Sequence, residues 1–221
     1  MDDEKLDDDP ALDPAAMLAL LQREQDEIPR RLARGIPWIL LAWGIAWFLG
    51  YGMLWLIDGA RPAFAMPLPV SVISFIVLLV GAIVVSAIIG TRAGRGIRST
   101  REAAFTGTVY GVTGSAGFFA MYIFAIALSF NGMDPNLEPI FFPTAMGILV
   151  ALMYLVAGAI WRAIPSIVMG GAILVVSLVA PFLGYPNHYL VFAIAGGGVF
   201  FGGAISTALY TRGGRDGLAV R

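Results

Sequence analysis

The stretch Thr91–Glu102 reads TRAGRGIRSTRE and carries Arg92, Arg95, Arg98 and Arg101 with no acid until Glu102. Long apolar runs flank it, about 70–89 before and 105–130 after. Each approaches or exceeds the ~20 residues needed to cross the hydrocarbon of a bilayer. Moving four arginines through that hydrocarbon is costly, so they fix their loop to the cytoplasmic face. Every other segment is then oriented by counting crossings outward from this loop.

Composition agrees with that reading. Of 221 residues, 58% are apolar and only 13% charged, and the mean hydropathy is +0.81. Soluble domains are nearer a quarter charged, so the chain belongs with membrane proteins. The formal charge of −1 hides two opposite regions. Residues 1–27 set ten acids against Lys5 and Arg23, a net of −8, and the remainder sets twelve arginines against five acids, a net of +7. Cysteine is absent and His188 is the single histidine. Disulfides, thiolate metal sites, cysteine nucleophiles and two-histidine sites are therefore excluded. The acidic N-terminus lacks the basic region and early apolar core of a secretory signal and is read as uncleaved.

The expected fold is all-α, a polytopic membrane protein with six transmembrane helices preceded by a short amphipathic helix. Residues 1–12 form an acidic tail with little to bury, expected to be disordered. Residues 13–28 read as an amphipathic juxtamembrane helix that starts at Asp13-Pro14, places Met17, Leu18, Leu21 and Ile28 on one face, and ends at Pro29. The transmembrane domain spans 29–210, with crossings at about 37–57, 70–89, 105–130, 141–161, 165–183 and 189–210. Pro181 is expected to kink or end the fifth. A basic cytoplasmic tail, 211–221, closes the chain.

With the arginine loop inside, Arg30, Arg31, Arg34, Arg162, Arg212, Arg215 and Arg221 also fall inside, and Arg61 alone falls outside. That bias places both termini in the cytoplasm, and the expected location is a bacterial cytoplasmic (inner) membrane. Arg34-Gly35-Ile36-Pro37 and Arg162-Ala163-Ile164-Pro165 open the first and third hairpins alike. Both matches lie in biased border sequence, so a duplication is left open.

Within the expected crossings there is no Asp, Glu, Lys, Arg or His. Proton relays and voltage sensors are built from such residues, so a pump or antiporter is disfavoured. Small residues recur every fourth position as Gly107, Gly111 and Ser115 in the third helix and as Gly198, Gly202 and Ser206 in the sixth. Such stripes let backbones approach closely, first within one bundle and alternatively between copies. Trp43, Trp47, Tyr51 and Trp55 make an aromatic row on the first helix, read as packing or lipid contact before a ligand path. Gly114-Ser115-Ala116-Gly117 has no base within reach to activate its serine. Catalytic, cofactor and metal sites are thus not expected, nor is nucleic-acid binding. The four arginines contact lipid headgroups or, alternatively, an acidic cytosolic surface.

From Asp13 to Arg215 the architecture resembles one subunit of an ATP-binding-cassette exporter permease of the six-helix kind. An amphipathic helix precedes the first crossing, both termini are inside, and a cytoplasmic loop follows the second helix. That loop is short and glycine-rich here, and no re-entrant helix is evident near the last two crossings. The excess of arginine over lysine, with abundant alanine and glycine, is similar to small uncharacterised six-helix membrane proteins of actinobacterial type. The resemblance implies a non-catalytic, transport-related permease or permease-like subunit, energised by a separate cytosolic ATPase if ATP drives it. The residues themselves also fit a structural or regulatory accessory subunit of a membrane complex, with lipid, other membrane subunits or a second copy as partners.

Overall fold

A computed structural model describes residues 17–18, 35–95 and 100–216, with side chains as far as 209. Of the expected juxtamembrane helix, Met17 and Leu18 are described, helical and exposed. The 1–12 tail and Arg98 lie outside the described residues. Six helices are long and apolar enough to cross a membrane, and no strand occurs among the described residues. They are α1 Ile36–Trp55, α2 Leu68–Ala93, α3 Arg101–Phe130, α4 Glu138–Ile160, α5 Ile164–Val179 and a composite α6. The last runs as Asn187–Val191, a π-helical turn Phe192–Gly196, and Gly197–Asp216.

The starts are set by local chemistry. Pro37, Pro69, Pro139 and Pro165 stand at the second residue of α1, α2, α4 and α5, where a missing N–H costs nothing and φ is already helical. Thr100 caps α3 instead, its hydroxyl accepting from the Ala103 amide at 3.2 Å, with Glu102 in the positive first turn. The two ends of TRAGRGIRSTRE are therefore helical rather than loop. At about 45 Å, the 30-residue α3 exceeds the ~30 Å hydrocarbon thickness. α6 likewise continues past the expected limit at 210 to Asp216.

Pro181 ends α5 as expected: the helix gives way at Ala180 to a 3-10 turn, Ala180–Leu183, followed by Gly184 at φ 65°. The α4–α5 turn is closed differently. Arg162 adopts φ 52° and the Ala163 amide donates back to the Gly158 carbonyl at 2.9 Å. This is the helix-ending geometry usually given to glycine. Here it sets a cation at the negative end of α4.

Neighbours in space follow the order α2, α1, α6, α5, α4, α3. α1 lies between α2 and α6, α4 is paired closely with α5, and α3 makes its extended contact with α4. The edge helices bury little: Ser71 and Ala82 on α2, Gly114 and Ala125 on α3. The core sits where α1, α4, α5 and α6 meet, around Leu40, Trp47, Tyr51, Ala151, Ile173, Phe192 and Phe200. The connections α1–α2, α3–α4 and α5–α6 gather at one end, called distal here. Arg92, Arg95, Arg101, Arg162, Gly35 and Asp216 lie at the other, proximal end.

Candidate functional site

The aromatic row of α1 supplies the centre of the molecule. Trp47 and Tyr51 are only 3% and 5% exposed. Trp47 meets Phe200 at 5.1 Å and Phe192 at 6.0 Å between ring centroids, while Tyr51 stacks on Phe192 at 5.1 Å and touches Phe75 of α2 at 5.0 Å. From α4, Tyr154 reaches Phe200 at 6.1 Å. These rings make the row a packed core rather than the wall of an open path. Glycine makes it fit: a Cβ at Gly196 would lie 2.6 Å from the Trp47 ring, and one at Gly197 would lie 3.1 Å from the Phe48 Cβ. Gly196, which ends the π-helical turn, and Gly197 thus pack against α1 in unbroken helix, while Gly198 faces away. Trp43 is tied to α2 by its indole N–H, which donates to the Ser86 hydroxyl at 3.1 Å.

Above this core, the distal end carries the polar groups. Asp58 in the α1–α2 connection pairs with Arg61 at 3.0 Å and accepts a hydrogen bond from the Tyr185 hydroxyl. Partial burial, and next the Asp58 carboxylate, hold the Tyr185 phenol above the ordinary tyrosine range. Three residues on, His188 is fully buried against Tyr189, ring centroids 3.9 Å apart. Its Nε2 lies 2.8 Å from the Pro139 carbonyl of α4, and its Nδ1 lies 3.3 Å from the Gly184 carbonyl. The turn Tyr185–His188 therefore ties the α1–α2 connection and the first turn of α4 to the start of α6. Trp55 Nε1, Ser71 Oγ and Thr144 Oγ1, from the distal turns of α1, α2 and α4, are buried without a hydrogen-bond partner among the described residues.

Beside the core, an apolar pocket of about 380 Å³ opens between α1 and α6, lined in part by Phe48, Gly52, Met53, Met66, Leu190 and Ile194. Its walls offer hydrocarbon contact and almost nothing to orient a polar solute.

The residues singled out in the sequence are placed apart from these features. Arg92, Arg95 and Arg101 are exposed at the proximal end. Gly107, Gly111, Gly198 and Gly202 face open space, where an added Cβ would meet nothing within 4 Å. Ser115 and Ser206 are exposed too, the latter donating to the Gly203 carbonyl at 3.0 Å. Close approach within the chain uses other glycines. A Cβ at Gly170 would sit 2.9 Å from backbone of α4, one at Gly114 would sit 2.7 Å from Met153, and one at Gly203 would sit 2.7 Å from Met169. The distal cluster is the feature that spacing alone misses. Its one sequence signal is Pro143, a proline inside an apolar run, with a histidine at the border of another.

No protein family, curated protein or solved structure matches the chain.

Proposed function

We propose that this chain is a non-catalytic membrane subunit that works by association, as a structural or regulatory accessory component of a membrane complex. The observation that carries the reading is the aromatic filling of the space between α1, α4 and α6, by Trp47, Tyr51, Tyr154, Phe192 and Phe200. A solute path through one copy would run where these rings pack. The lightly buried edge helices α2 and α3 support the same reading, because they leave long apolar faces for lipid or for other subunits. The arginine bias supports cytoplasmic termini in a bacterial inner membrane.

A permease-like subunit is the second reading, supported by the exposed arginines at the α2–α3 connection, where an acidic cytosolic subunit would dock. Purification in mild detergent at native expression level, followed by native mass spectrometry, separates the two. A stoichiometric membrane protein travelling with the chain is the expected result. A stoichiometric soluble ATPase would replace the accessory role by the permease role, and a lone monomer would overturn the assembly reading altogether.

A further inference from the structure

Four residues before Pro143 stands Pro139, whose carbonyl points along α4 toward a nitrogen that has no hydrogen to give. Proline inside a helix removes the i to i−4 bond and its ring pushes against that same carbonyl. Pro143 is buried within α4 and Pro139 half-buried in its first turn, so the helix itself supplies no N–H from position 143 to that carbonyl. A shielded backbone acceptor left without a donor is destabilising. The missing donor arrives from another helix: His188 Nε2 lies 2.8 Å from the Pro139 oxygen, across 49 positions of sequence. A carbonyl only accepts, and of the two ring nitrogens Nε2 has the shorter contact, 2.8 Å against 3.3 Å from Nδ1 to the Gly184 carbonyl, so the tautomer with the proton on Nε2 fits best.

The donor is held rigidly. His188 is 0% exposed, its ring lies against Tyr189, and its own amide donates to the Gly184 carbonyl at 2.9 Å. The recipient segment, residues 138–142, is half-buried throughout, and α4 meets the Ala180–Leu183 turn as well as α3. The turn before Pro143 is attached to α3 through Phe141 against Phe124 at 6.2 Å and Phe142 against Tyr122 at 6.1 Å. Those contacts travel with the turn, because α3 itself packs chiefly on α4.

We propose that Pro143 is a hinge in α4 and His188 the latch that closes it. Breaking this one interhelical hydrogen bond frees the first turn of α4, with the distal end of α3, to move away from α6. The latch is local: the remainder of α4 stays paired with α5, where Gly170 lets the two backbones touch.

The chain has no cysteine, so spin labels can be placed cleanly at Leu137→Cys and Phe182→Cys, both exposed positions flanking the latch. Pulsed dipolar measurement in lipid nanodiscs should give one narrow distance distribution for the otherwise unaltered chain. His188→Leu should broaden it or add a longer component. Pro143→Ala combined with His188→Leu should narrow it again, because residue 143 then supplies the N–H that the Pro139 carbonyl lacks. A His188→Leu distribution as narrow as the parent would overturn the latch, and so would a double variant as broad as His188→Leu alone. Where His188→Leu fails to fold, recovery of a folded protein in the double variant supports the proposal, and failure of both overturns it.

Discussion

At the scale of single residues, the molecule separates glycines that look alike in sequence. Gly170 and Gly171 are adjacent in α5, yet a Cβ at the first would lie 2.9 Å from the Ala151 carbonyl oxygen and the Leu155 nitrogen of α4, and at the second would meet nothing within 4 Å. Backbone atoms cannot rotate aside as a side chain can. Gly170→Ala should therefore force α4 and α5 apart and cost about 1–3 kcal/mol. Gly171→Ala should leave stability unchanged or raise it slightly through helix propensity. Thermal unfolding in detergent distinguishes them, and equal melting temperatures would show that the α4–α5 contact is looser than drawn. The same lesson applies to His188. A lone histidine at the border of an apolar run gives no hint of its partner, because Pro139 is remote in sequence and the need for a donor arises from Pro143.

At the scale of the helix, most of what formed was legible. Length and hydropathy located all six crossings and Pro37 and Pro165 marked two of their starts, because both effects are local to the segment, whereas hydropathy alone puts Pro69 and Pro139 in the connecting loops. Ends were less legible. Helix continued through Arg92 and from Arg101, where charged residues stop a hydropathy count without stopping the backbone hydrogen bonds of a helix. Facing directions were not legible at all. Apolar residues dominate every face of a crossing, so periodicity does not tell core from lipid, and the small-residue stripes pointed away from the bundle. Gly111→Leu and Gly202→Leu now have a definite expectation: the stability of a single copy is not lowered, since a Cβ at either position would meet nothing within 4 Å among the described residues. If size-exclusion chromatography with light scattering shows either substitution dissociating an oligomer, that stripe is a contact between copies. A fall in monomer stability would instead mean that the helix is rotated from the orientation described.

For the whole molecule, the shared ends of the helices permit one decisive test of orientation. Reporter fusions after Gly59, Asn136 and Asn187 should report the non-cytoplasmic side, and fusions after Gly96 and Arg221 the cytoplasmic side. All five follow from one arginine loop, and a single reversal would break the arrangement of six crossings. The spatial order of the helices also differs from their order in the chain, and this has a consequence for how the protein is made. α1 and α2 can pair as soon as both have left the ribosome, and so can α4 and α5. The tryptophan and tyrosine at the centre of α1, however, are covered by Phe192 and Phe200 of α6. Phe75 and Ser86 of α2 can take up part of the aromatic row of α1 early, but the packing of Trp47 is complete only once α6 has been made.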